Sequence, residues 1–334
     1  MNYKLHYHNN FDFLRIVFTI FVILHHILNQ YHYVNFAGTS VDLFFILSGF
    51  FLTYTCSAQR NSETFIVKKI VRFWPLVCFA TLCTAFLDTD ITFEKFLAPL
   101  FFLPATGLFG EFTNGIASIW YICVLFWVSI FYFYIIKNFK KEFVNACIGI
   151  LTFYNYVVCV KYGWRIYETV DFCRIFTIGM ARGFAGIGCG YFIASFYQNH
   201  INWFAGRKKI SLLNSICEIM IFLYILIAMF TLDLSNNPIF MVISFICLIL
   251  LFLMKKGVIS YYFEKNSLKF LSDYCLSIFL THNVIFFILP QYIADINNII
   301  IQIVILLASS IIFGIISHHL IEKPSQKYLS NIIN

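Results

Sequence analysis

Residues 11–30 read FDFLRIVFTIFVILHHILNQ, an apolar run from Phe11 to Gln30 interrupted by Asp12, Arg15, His25 and His26. As a helix these residues extend about 30 Å, the thickness of the hydrocarbon core of a bilayer. Comparable runs recur to the end of the chain. Stretches such as Ile219 to Phe230 show no alternation of polar and apolar residues, which excludes the dyad pattern of a membrane β-barrel. Of the 334 residues 60% are hydrophobic and only 12% charged, with a mean hydropathy of +0.81. A soluble domain needs about twice that charged fraction to cover its surface. The expected fold is therefore all-α, a polytopic transmembrane bundle of about ten helices.

The spans are read at 11–30, 39–57, 73–88, 116–136, 143–161, 173–197, 211–231, 238–254, 270–291 and 299–320. No repeat, low-complexity linker or composition break divides them, so residues 1–334 are read as one domain. The first stretch is read as a span rather than a cleavable leader, because it carries charges and no small-residue cleavage site follows it. With the N-terminus in the cytoplasm, the inner segments hold Lys4, Arg60, Lys68, Lys69, Arg72, Lys137, Lys140, Lys141, Arg207, Lys208, Lys209, Lys255, Lys256, Lys265, Lys269, Lys323 and Lys327. These are 17 of the 23 basic residues. Asp88, Asp90, Glu94, Glu111, Glu168, Asp171, Asp233 and Asp295 fall on the other side. That asymmetry predicts that both termini are cytoplasmic. It also accounts for the net charge of +7 without nucleic acid as a partner. The eleven cysteines include no C-x-x-C and lie mostly in apolar spans, so neither a metal site nor a disulfide framework is expected. The loop over 89–115 contains Pro99, Pro104, Gly107, Gly110 and Gly115, and reads equally as a substrate-contacting, re-entrant or surface segment.

The first span carries the chemistry. Arg15 and His26 differ by only about 20° around a helix and by about 16 Å along it, whereas His25 falls about 80° off that line. An ionisable group at mid-bilayer costs at least about 2.5–3.5 kcal/mol, so such a face turns toward protein or water. Snorkelling accounts for Arg15 but not for His26. The second span opens SVDLFFILSGF, Ser40 to Phe50, and its Asp42 falls at a depth similar to that of His26. A carboxylate there can orient an imidazole acting as general base, and it also suits a helix N-cap. Ser48 and Gly49 read as close-packing residues rather than a nucleophile. Lys69 and Arg72, one helical turn apart before Pro75, can face one anionic ligand, although basic residues there also follow from orientation alone.

Together these segments resemble the membrane acyltransferase-3 family, whose members O-acylate glycans and other acceptors. The family's R-x10-H matches Arg15 and His26. Its V-D-L-F-F-x-L-S-G-F block matches Val41 to Phe50, and its R-x-x-R with a following proline matches Lys69, Arg72 and Pro75. Ser118-Ile119-Trp120-Tyr121 is similar to the family's tryptophan motif. Leu271 to His282 resembles its S-Y-x-I-Y-L-x-H stretch, and Glu322-Lys323-Pro324 matches its E-[KR]-P close. Two positions depart from the pattern. Lys69 replaces arginine and loses the bidentate fork. The tryptophan motif lacks its glutamate, with Val124 and Leu125 in that neighbourhood, which looks more like the shorter surface-polysaccharide O-acetylase branch.

The resemblance implies acetyl-CoA, or a similar acyl-CoA, as cytoplasmic donor. The implied acceptor is a hydroxyl of an outer-face glycan, a lipid-linked one such as O-antigen, and the implied location is the bacterial inner membrane. Lys69, Arg72 and Arg15 would hold the donor. His26 would deprotonate the acceptor or carry the acyl group, oriented by Asp42, with Trp120, His282 and Ser48 on the acceptor side. His282 reads equally as an interior histidine bonded across helices, and Trp120, before the motif is considered, reads first as an interfacial belt residue and second as a sugar-stacking one. Arg182, within a span, needs a partner that the sequence does not name. The rival class is a transporter of glycan or acyl groups with Asp42, His26 and Arg182 along its path.

Overall fold

The computed structural model describes residues 8–33, 37–58, 61–87, 92–107, 118–164, 169–170, 173–204, 209–231 and 238–333. Its helices are α1 (Asn10–Gln30), α2 (Ser40–Ala58), α3 (Ser62–Leu87), α4 (Phe93–Leu100), α5 (Ile119–Asn138), α6 (Lys141–Tyr162), α7 (Ile178–Asn199) and α8 (Ile201–Phe204). There follow α9 (Leu212–Thr231), α10 (Ile239–Met254), α11 (Val258–Lys265), α12 (Lys269–Ser272), α13 (Cys275–Ile288), α14 (Pro290–Ile293), α15 (Ile299–Ser317) and α16 (Lys323–Ile333). A two-stranded antiparallel hairpin pairs β1 (Thr169–Val170) with β2 (Cys173–Thr177). The protein is a helical membrane bundle.

Among the described residues seven helices are long and apolar enough to cross a membrane. The pair α10 and α11, bent by 56° at Lys255-Lys256-Gly257, is long and apolar enough only when the two are taken together. The other two expected spans are α7 and α13. α13 has only 14 residues, and α7 is rich in glycine. Both lie inside the bundle: α7 packs on α2, α5 and α6, while α13 packs on α1, α3 and α15. Surrounded by protein rather than lipid, neither needs a long apolar surface.

Several boundaries move. α3 is not a short span from 73 but a helix from Ser62, started by Asn61, whose Oδ1 accepts from Glu63 N at 3.1 Å. Lys68, Lys69 and Arg72 therefore stand on the helix itself. Pro75 sits inside α3 without ending it. The sixth span loses residues 173–177 to β2, and Thr177 caps α7 by accepting from Met180 N at 3.2 Å. The ninth span breaks at Asp273 and Tyr274. The last passes through a π-helical turn, His318–Glu322, into α16.

The break after α10 is built from side chains. Glu218 on α9 is buried, and its Oε2 accepts from Ile259 N (3.1 Å) and Ser260 N (3.2 Å) in the first turn of α11. These are donors that a helix start leaves unpaired, and a carboxylate suits that end of the dipole. On the other side of the bend Asn10 Nδ2 donates to Phe252 O at 2.7 Å, fastening the start of α1 to the end of α10.

The 89–115 loop contains α4. Trp74 of α3 donates its indole N–H to Leu100 O (3.1 Å), and Trp127 of α5 donates to Phe102 O (2.9 Å). Trp74 lies about 20 Å along its helix from Leu87, and Trp127 about 14 Å from Ser118. The end of α4 thus reaches well inside the span, and the chain turns back through left-handed Phe102 and Ala105. This is a re-entrant segment, with carbonyls that would otherwise face lipid satisfied by the two indoles. Gly110 and Gly115 lie outside the described residues.

Candidate active site

Two polar clusters lie along α1. The first surrounds its N-terminal third. Arg15 Nη1 donates to Asp12 Oδ1 at 3.0 Å, Ser272 Oγ donates to the same oxygen at 2.8 Å, and the Arg15 guanidinium lies 4.9 Å from the Phe51 ring centroid. Asp12 is fully buried, while the Arg15 side chain keeps 28% of its exposure, so the guanidinium is reachable. Lys69 Nζ lies 5.1 Å from the Phe65 ring and 5.4 Å from Phe73, and Arg72 Cζ lies 5.6 Å from Phe73. The shared Phe73 ring gathers both cations at one place. Arg15 and Arg72 interact electrostatically, and the Tyr121 hydroxyl, bonded to Ser48, feels both. Glu322, carried inward by the π-helical turn, is also within electrostatic range of Arg72. It accepts from Ser277 Oγ, from Gln326 Nε2 (3.1 Å), and stands 2.8 Å from His318 Nδ1.

The second cluster lies toward the other end of α1. His26 is half-buried, its ring centroid 5.1 Å from His25 and 5.1 Å from His282 of α13. Helical phase had separated His26 from His25 by direction alone, and the packing adds that His26 is the one facing α13. Gly38, in the turn before α2, lies against His25: a Cβ there would stand 2.7 Å from His25 Nε2.

Asp42 is not the partner of His26. Its two oxygens are taken by Arg182, with Nε to Oδ1 at 3.0 Å and Nη2 to Oδ2 at 2.9 Å, and by Trp164 Nε1 at 3.1 Å from Oδ2. The physical reason is the glycine face of α7, which lets Arg182 approach α2 closely enough to form the fork. Arg182 Nη2 also donates to Gly38 O at 3.4 Å, and its guanidinium lies 5.1 Å from the Trp120 ring centroid. Trp120 is buried at 4% exposure, so it is not a lipid-facing belt residue and one of its faces is occupied by Arg182. Through Gly38 the pair borders the turn that lies against His25.

The structure thus brings His26 to His282 and sets Lys69 and Arg72 on one ring with Arg15 in electrostatic range of Arg72, while Asp42 is bonded to Arg182 and Trp164 instead of His26. Arg182 and Glu322 are the additions. Asp12, Asp42 and Glu218 are buried acids that each require a donor, and Arg182 is the cation that meets one of them. Spacing along the chain does not say which acid it meets. Among the described residues no three His, Cys, Asp or Glu side chains gather as a metal-binding group.

A family model described as an acyltransferase domain matches residues 8–319. No curated protein and no solved structure matches the chain.

Proposed function

The chain belongs to the acyltransferase-3 family and is a membrane acyltransferase, and from that premise we propose that it moves an acetyl or similar acyl group from cytoplasmic acyl-CoA to a hydroxyl of an outer-face glycan. The observation that carries this reading is the pairing of clusters along α1. At one end Lys69, Arg72 and Arg15 bring positive charge together around Phe73 and Phe51. Like charges so placed are relieved by an anion, and a phosphate-bearing donor supplies one. At the other end two imidazoles face each other at 5.1 Å, which suits proton transfer rather than anion binding. The separation of Arg15 from His26, about 16 Å along the helix, suits an extended donor whose phosphates and thioester lie far apart.

His26 accepts the proton of the acceptor hydroxyl as its oxygen attacks the thioester carbonyl carbon. The carbon–sulfur bond breaks, and the imidazolium returns the proton to the departing thiolate, leaving an ester and a free CoA thiol. Arg15 stabilises negative charge on the donor side and does not touch His26. With basic loops inward, the protein sits in a bacterial inner membrane with both termini in the cytoplasm. The acceptor is a lipid-linked surface polysaccharide of the O-antigen kind.

Mass spectrometry of surface glycans from cells with and without the protein tests this. Glycans gaining an acyl group only with the wild type, and not with His26→Ala or Arg15→Ala at equal membrane levels, are expected. Full acylation in either variant contradicts the assignment.

A further inference from the structure

His282 stands beside His26 with one ring nitrogen committed and one free. The side chain is fully buried in α13. Its Nδ1 lies 3.3 Å from Ile278 O. A carbonyl can only accept, so Nδ1 carries the hydrogen and the neutral ring keeps its lone pair on Nε2. That nitrogen is buried without a hydrogen-bond partner among the described residues. Phe279 (6.2 Å) and Phe286 (5.3 Å) form the rest of its ring contacts and offer no donor. The tautomer is held from behind, because Gly314 of α15 packs on Ile278: a Cβ there would stand 2.5 Å from Ile278 Cα. The Ile278 carbonyl is thus held in place, and with the Phe279 carbonyl beside it Nδ1 faces backbone acceptors only.

A buried acceptor without a donor is unfavourable and is completed by a donor from a ligand. His26 already takes the hydrogen of the hydroxyl that is acylated, and one O–H group cannot donate to both imidazoles. The second donor must come from close by on the same molecule, since the rings are only 5.1 Å apart. We propose that His282 Nε2 holds the hydroxyl adjacent to the one acylated, so that the acceptor is a vicinal diol on a sugar ring. His282 forms and breaks no covalent bond. It binds the neighbouring hydroxyl and presents the reacting one to His26. The inference rests on the acyltransfer reading and adds a substrate class to it.

The test uses the full-length protein in detergent, radiolabelled acetyl-CoA, and methyl rhamnoside and methyl galactoside as probes. Each probe is paired with counterparts lacking one ring hydroxyl. Loss of the hydroxyl next to the acylated one should lower kcat/KM for the wild type at least about tenfold. His282→Asn places an amide at the Nδ1 position and nothing at Nε2, so it should raise KM for the diol and abolish the preference. His282→Gln reaches the Nε2 position with an amide oxygen and should recover part of it. A purely structural role through Ile278 O predicts the reverse order, with Asn rescuing and Gln not, and would overturn the proposal. A wild type that treats diol and deoxy probes alike overturns it without any variant. Failure of the wild type to acetylate every probe strikes the acyltransfer reading itself, and this inference with it.

Discussion

Arg182 and Asp42 form the most deeply buried ion pair described, each side chain at 4% exposure. Removing one partner of such a pair strands a charge and costs about 3–5 kcal/mol, whereas removing both costs much less. Asp42→Asn and Arg182→Leu should each lower the thermal midpoint of the detergent-solubilised protein. The double variant should recover most of the loss, and an additive loss would show that the pair does not couple. Lys69 belongs to a different balance. It is a partly buried ammonium with aromatic neighbours, and Lys69→Ala should raise the apparent KM for acyl-CoA with a smaller change in kcat. An unchanged KM removes it from the donor site. At this scale the sequence identified His26 through its helical phase with Arg15, and Lys69 with Arg72 through one-turn spacing. It could not pair Asp42 correctly. His26 and Arg182 both compete for a buried carboxylate, and the winner depends on how closely α7 approaches α2.

That approach is set by glycine. On α2 and α7 a Cβ at Gly49 would stand 1.9 Å from Ile187 O, and one at Gly190 2.0 Å from Ile46 O, both against backbone that cannot yield. Gly149 on α6 would meet only the tip of Phe192, at 3.5 Å. Gly190→Ala should therefore destabilise the protein and weaken acylation by moving Arg182, while Gly149→Ala should be tolerated. Equal thermal midpoints for the two variants would contradict this packing. The sequence shows Gly179, Gly183, Gly186, Gly188 and Gly190 close together but does not indicate what packs on them. The bends are still less legible. Lys255-Lys256-Gly257 reads as an inner loop, yet Glu218, some forty residues away, caps the helix beyond it, and the re-entrant end of α4 depends on indoles from two other helices. Long-range side-chain caps leave no local periodicity to read.

For the whole molecule, the ten apolar stretches of the sequence all correspond to helical segments, and seven of these are long and apolar enough to cross a membrane among the described residues. α7 and α13 are also legible as spans, although one is glycine-rich and the other only 14 residues long, and these two carry Arg182 and His282. His282 of α13 meets the histidine end of α1, and Arg182 of α7 meets Asp42 of α2. One feature of the chain thus connects fold and chemistry: α1 joins a cationic end, at Arg15, to an imidazole end, at His26. The most direct measurement is release of free CoA by the purified protein supplied with acetyl-CoA and an isolated lipid-linked glycan. Stoichiometric thiol release and ester formation are expected with the wild type, and neither with His26→Ala. Ester formation that continues in the His26→Ala protein, or movement of glycan across reconstituted vesicles without thioester consumption, would contradict acyl transfer through His26.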